Sequence, residues 1–165
     1  MPEFLDASPD ARRIALRTPA GLLAFGFGAG LSRYAPGTVG TLVAVPFGLL
    51  LKGLPPAGYW AALALLFGLG VYVCGVASRA LDRADPGGIV WDEMVGYWLA
   101  VALVPVSWAW WLAAFALFRV FDIWKPWPIR QLERRVGGGL GVMLDDAVAA
   151  AYVLLLLEAW QYLGM

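Results

Sequence analysis

In the segment FRVFDIWKPWPIR, residues 118–130, Arg119, Asp122 and Lys125 follow one another at three-residue steps, and Pro126 and Pro128 close the run. Arg119 and Asp122, so spaced, share one face of a helix. Pro126 disfavours helical geometry in the residue before it, which sets Lys125 just past the helix end and lets it reach sideways. An acid beside two bases at the mouth of an apolar helix is costly to desolvate unless the charges pair or bind something. An ion pair capping a membrane helix meets that requirement, and so does a ligand site.

Two further acidic pairs, Asp92/Glu93 and Asp145/Asp146, each adjoin an apolar run. Acids at a helix start are favoured by the macrodipole, so each pair could serve as a cap. Adjacent residues diverge by about 100° around a helix, and only one of each pair need face a shared site. Taken together, Asp92, Glu93, Asp122, Asp145 and Asp146 offer oxygen without nitrogen or sulfur. Glu93, Asp122, Asp145 and Asp146 are the expected ligands, and the expected ion is Mg²⁺ rather than zinc or copper. Magnesium beside Arg119, Lys125 and Arg130 points to a phosphate substrate, the bases stabilising charge on the transferring group. Two nucleophiles fit this chemistry: a water, or one of the aspartates Asp122 and Asp145.

The residue inventory excludes several other mechanisms. There is no histidine and a single cysteine, Cys74. An intrachain disulfide, a Cys/His zinc site, a Ser-His-Asp triad and a phosphohistidine intermediate are all ruled out. Cys74 precedes Arg79 by one residue too few for the Cys-x5-Arg phosphatase loop, and its apolar surroundings read as a buried small residue. The formal net charge is zero, so nucleic acid has no global attraction to this chain. An acidic ligand must instead be met by local bases.

The elements that must position these groups are apolar helices. The 165 residues are 61% hydrophobic and 15% charged, with nine tryptophans and a mean hydropathy of +0.72. The expected fold is all-α: a polytopic membrane helical bundle with four or five membrane helices, residues 21–165 forming one domain. Residues 1–20 read as a polar arm or a surface helix over Ala11–Thr18. No secretory signal pattern is present there.

The glycine-rich stretch 21–40 does not complete a dinucleotide fingerprint. Within it, Ala35-Pro36-Gly37-Thr38 predicts a turn with Thr38 as N-cap of the next helix, an anion seat. The run Thr38–Leu51 is too short to cross a bilayer unless part of the preceding stretch is also helical. Ala57–Ala77 carries no charge and is the clearest span. A polar loop, 78–88, follows. Met94–Val104 and Trp108–Phe118 read as a helical hairpin, either two tilted spans or a pair that does not fully cross, and Ala147–Tyr162 is the last helix. Trp108, Trp110, Trp111, Trp124, Trp127 and Trp160 fall near run ends, as in an aromatic belt. Bases concentrate at 12–17, 79–83 and 125–135, which the positive-inside rule assigns to the cytoplasm. Every acidic cluster and the Pro-Gly-Thr turn adjoin that side, so the active site is expected at the cytoplasmic face.

Four motifs in order, FGFGAGLSRYAPGTVGTL at 25–42, IVWDEMVGYW at 89–98, FRVFDIWKPWPIR at 118–130 and GGLGVMLDD at 138–146, make the chain resemble phosphatidylglycerophosphatase A from about Leu22 to Leu157. The resemblance implies a magnesium-dependent, all-helical enzyme of the bacterial inner membrane that converts phosphatidylglycerol phosphate to phosphatidylglycerol. It also implies that Asp92, Glu93, Asp122, Asp145 and Asp146 are the acidic site positions, and Thr38, Arg119 and Lys125 the polar ones. Asp85 matches in the loop before Asp92, and Gly37 and Ser32 are supporting positions. The chain departs from the family in carrying Ala84 and Pro86 beside Asp85, where members can have histidines, and Arg33-Tyr34 where a proline is common.

Two other readings have discriminating features. A CDP-alcohol phosphotransferase needs a D-x2-D-G-x2-A-R pattern, which is absent. A divalent-cation transporter should hold its acids mid-helix near the bilayer centre, whereas here they are expected at helix ends beside basic loops. Oligomeric state is not legible in the sequence.

Overall fold

The computed structural model describes residues 9–164, apart from the side chains of Pro9 and Glu133; the first eight positions of the polar arm lie outside the described residues. Among these residues there are helices and no strand. In order they are α1 (Pro9–Arg17), α2 (Pro19–Ala24), a 3₁₀ segment (Gly26–Leu31), α3 (Pro36–Lys52), α4 (Pro56–Ala80), α5 (Trp91–Ala100), α6 (Trp108–Trp124), α7 (Ile129–Arg135) and α8 (Gly138–Tyr162). The polar arm is therefore helical over α1, which buries Ala11 and Ala15.

Helices α4 and α8, each 25 residues, are long and apolar enough to cross a membrane. Each is about 37 Å long at 1.5 Å per residue. Helices α3 and α6 have 17 residues, or about 25 Å. The glycine-rich stretch does not lengthen α3, because Ser32–Ala35 separates the two. Here the backbone turns through positive φ at Gly26, Phe27 and Gly28 and again at Ala35. Glycine is required nearby: a Cβ on Gly30 would stand 1.8 Å from the Gly88 carbonyl oxygen.

Helix α5 has ten residues, about 15 Å, and is too short to be a span. It is the hub of the bundle, packed by α3, α4, α6 and α8. Its apolar run stops at Ala100 rather than Val104. Its large side chains are buried, and their polar atoms are tied to other helices. Trp91 Nε1 donates to the Leu66 carbonyl at 3.1 Å, Trp98 Nε1 to Ala44 at 2.8 Å and the Tyr97 hydroxyl to Trp111 at 3.1 Å, while Tyr59 of α4 donates to the Trp98 carbonyl at 2.6 Å. Buried indoles and phenols need such partners, and here each partner fixes α5 against a neighbour. Trp111 belongs to this core, buried at 6% exposure, so it is not part of an aromatic belt; Trp108, Trp124, Trp127 and Trp160 are exposed.

The last helix begins nine residues earlier than the apolar run alone indicates. Its first turns are glycine-rich because they approach α4 backbone to backbone: a Cβ on Gly139 would lie 1.9 Å from the Val71 carbonyl oxygen and 2.6 Å from the Gly75 nitrogen. Small residues at such crossings are what close helix packing in membranes requires. As a result Asp145 and Asp146 are not caps; they lie two turns inside α8.

The far end of the bundle is separate from all of this. There Lys52 Nζ donates to the carbonyls of Ala102 and Val104 at 2.8 and 3.0 Å, closing the α5–α6 turn.

Candidate active site

The N-terminal ends of α3, α5 and α8 meet the C-terminal ends of α4 and α6 at one end of the bundle. Asp92 and Glu93 occupy the first turn of α5. Asp146 lies seven residues beyond Gly139, nearly two full turns, so it returns to a similar face of α8. Carboxylate oxygens of Asp92, Glu93 and Asp146 come within 4.8 Å of one another. Asp92 Oδ1, Glu93 Oε2 and Asp146 Oδ2 are buried without a hydrogen-bond partner. Three carboxylates that meet in a core and each keep an unpartnered oxygen are costly unless a cation completes them. Burial, with the neighbouring Glu93 charge, holds the Asp92 carboxyl well above the usual carboxylate range. Burial also raises Glu93 to about 7, against the opposing effect of its hydrogen bond with Asp92 and of Arg119.

Around this cluster stand two cation–acid pairs. Arg119 Nη1 donates to Asp122 Oδ2 at 2.5 Å and lies 3.6 Å from Glu93 Oε1. The three-residue spacing of Arg119 and Asp122 does place them on one face of α6. Lys125 is the C-cap of α6, in left-handed geometry at φ 47°, and its Nζ donates to Asp145 Oδ2 at 2.7 Å. Asp145 is turned about 100° from Asp146, which takes it out of the close cluster and toward Lys125. The expected ligand set therefore divides. Glu93 and Asp146 are in the cluster together with Asp92, while Asp122 and Asp145 hold the two bases beside it.

Thr38 is not an N-cap. Pro36 opens α3, Ala35 caps it in left-handed geometry, and Thr38 is in the first turn. Proline fits the first helical position because its missing N–H would be unpaired there anyway. Gly37 next to it faces the site directly: a Cβ there would stand 2.1 Å from Glu93 Oε1 and 2.9 Å from Arg119 Nη2. Gly37→Ala should therefore displace the Glu93–Arg119 pair and lower kcat about tenfold or more, with the helical circular dichroism unchanged. Wild-type kcat in that variant would remove Gly37 from the site.

Arg130 is exposed and donates to the Trp124 carbonyl at 3.4 Å. Asp85 is also exposed and lines a cleft with Asp145. Ser32 is engaged locally, its hydroxyl donating to the Tyr34 carbonyl at 2.9 Å. Gly96, which the sequence reading passed over, lets Phe118 and Asp146 close over α5, at 2.7 and 3.3 Å from its Cβ position. Its place four residues after Asp92, on the same helical face, is the one signal that could have marked it. A cleft of about 690 Å³ lies elsewhere, between α1 and the α4–α5 loop, and contains none of these carboxylates.

Comparison with known proteins bears on what this arrangement does. Two curated bacterial proteins named phosphatidylglycerophosphatase A are similar over most of their length. The Escherichia coli protein is 45% identical over 138 residues, covering 83% of this chain and 80% of that one. The Haemophilus influenzae protein is 44% identical over 153 residues, covering 92% and 94%. A Bacteroides thetaiotaomicron relative, 42% identical over 144 residues (82% and 89%), is provisionally named a phosphatidylinositol-3-phosphatase. No solved structure matches the chain. The phosphatidylglycerophosphatase A family profile matches residues 22–161, a range that takes in α3 to α6, both cation–acid pairs and the buried carboxylates, and by that match the chain belongs to the phosphatidylglycerophosphatase A family.

Proposed function

We propose that this chain is a magnesium-dependent lipid phosphate monoesterase that converts phosphatidylglycerol phosphate to phosphatidylglycerol and inorganic phosphate. The observation that supports it most directly is the Asp92–Glu93–Asp146 cluster, with its unpartnered oxygens, set between Arg119 and Lys125. An all-oxygen donor set suits magnesium, and Asp92, Glu93 and Asp146 would hold it. Held there, magnesium would supply positive charge to offset that of the phosphate oxygens.

The remaining work falls to the chain's own groups. Arg119 and Lys125 direct N–H donors at phosphate oxygens, and Asp122 and Asp145 orient those two cations. In the net reaction an oxygen from water joins phosphorus, the bond from phosphorus to the terminal glycerol oxygen breaks, and that oxygen leaves as the alcohol after taking a proton. Burial of the carboxylates keeps bulk water from screening these charges.

The site works at the cytoplasmic face of the bacterial inner membrane. In this reading α4 and α8 cross the bilayer, α3 and α6, with 17 residues each, are at the short limit of a span, α5 is enclosed by them and residues 21–165 form one domain. The two acyl chains stay in the bilayer while the headgroup reaches the acids. The basic segments at 79–83 and 125–135 support this orientation.

Purified protein in mixed micelles should release phosphate from phosphatidylglycerol phosphate with magnesium, stop with EDTA and recover when magnesium is restored. Phosphatidylinositol 3-phosphate should be the poorer substrate. Full activity in EDTA would refute the metal role. Magnesium-driven uptake of the ion into proteoliposomes, without phosphate release, would mark a transporter instead.

A further inference from the structure

Two clefts flank the Lys125–Asp145 pair. One, about 500 Å³, is lined by Asp85, Arg130, Arg134, Gly137, Gly138 and Asp145. The other, about 420 Å³, includes Lys125, Arg130 and Arg134 with the indoles of Trp124 and Trp127. Arg130 and Arg134 line both, as residues four apart on α7 should. On one side of these guanidiniums are two exposed tryptophans of the kind that sit at a membrane–water boundary. On the other is the acidic centre, reached through Asp145. The floor between is open, since a Cβ on Gly137 or Gly138 would meet nothing within 4 Å.

We infer that Arg134, with Arg130, binds the phosphodiester that links the substrate's terminal glycerol phosphate to its diacylglycerol. This rests on the proposed hydrolysis and adds what that reading leaves open, the means of telling a lipid with two phosphates from one with a single phosphate. Along such a lipid the order is acyl chains, diester, glycerol, monoester. Along the protein, one cleft joins the tryptophans, Lys125 and the two arginines, and the second joins the same arginines to Asp145, the neighbour of Asp146 in the carboxylate cluster. A phosphodiester keeps one negative charge and two unesterified oxygens, the pattern a guanidinium fork matches in two parallel hydrogen bonds. Arg134 is a specificity-determining residue in this scheme and touches no reacting atom.

The product phosphatidylglycerol retains the diester and lacks the monoester, so its binding isolates this contact. Full-length wild type and Arg134→Gln would be compared for binding of short-chain phosphatidylglycerol in micelles and of inorganic phosphate. The substitution should raise the Kd for phosphatidylglycerol about tenfold and leave that for inorganic phosphate within about twofold. Arg134→Lys should recover only part of the loss, because a point charge replaces the fork. An unchanged Kd for phosphatidylglycerol, or equal weakening of both ligands, overturns the assignment. Neither measurement needs turnover, so a protein that hydrolyses no lipid would refute the proposed activity while leaving the binding comparison to decide this site.

Discussion

Asp146→Asn should abolish phosphate release and, in EDTA at pH 8, raise the melting temperature. The two effects have one cause. Asp92, Glu93 and Asp146 bring three acidic side chains within 4.8 Å in a buried place, an arrangement that destabilises the metal-free fold through desolvation and mutual repulsion. Removing one acid relieves that cost, at about 2–4 °C per kcal/mol for a chain of this size. It also removes an oxygen of the proposed magnesium site, and the expected loss of activity is at least a hundredfold, about the upper end of what losing an outer-shell partner costs. Stabilisation by added magnesium should shrink with it. A melting temperature that falls, or activity that persists, would show the cluster to be a packing feature and not a metal site.

Arg119 should behave in the opposite way, losing stability and activity together. Its guanidinium serves Asp122 and Glu93 at once, and all three side chains are largely buried, at 13–15% exposure. Arg119→Ala leaves two acids facing each other without a cation, a loss of about 3–5 kcal/mol by comparison with other broken buried pairs. In the proposed mechanism the same change removes donors for the phosphate, and kcat/KM should drop about a hundredfold to a thousandfold. Arg119→Lys separates the two roles. A lysine keeps the charge but cannot span both partners, so most of the stability should return while kcat stays low. Thermal melts and initial rates on the same preparations would show this, and a lysine variant with wild-type kcat would exclude a geometric role for the fork.

Much of this site was legible in local spacing. Arg119 and Asp122 at three residues apart, and Lys125 before a proline, are constraints that act within one turn, and the structure places each as those constraints require. The all-helical architecture followed from composition for the same reason, since apolar runs of this kind have few alternatives. What failed involved distant partners. The start of α8 was misplaced because glycine is a poor helix former on its own and becomes helical here only by closing against Val71 and Gly75 of α4. The side chain of Thr38 favours a capping role, yet Pro36 already opens the helix. Trp111 looked like an interfacial anchor from its position in the run, but whether an indole faces lipid or core is decided by the helix beside it. That Asp92 and Glu93 both face the cluster while Asp145 and Asp146 divide is likewise set by helix rotation, and only the packed bundle fixes rotation.

That rotation has a consequence for α8. Two consecutive aspartates serve different neighbours, Asp146 the inward cluster and Asp145 the lysine at the mouth of α6, so both contacts hold for only one angular setting of the rod. The backbone seam at Gly139 supplies that setting, much as a keyway locks a shaft. Sliding the seam by a single residue would swing both carboxyls a quarter-turn or more and disconnect the two halves of the centre in one step, with every helix still intact.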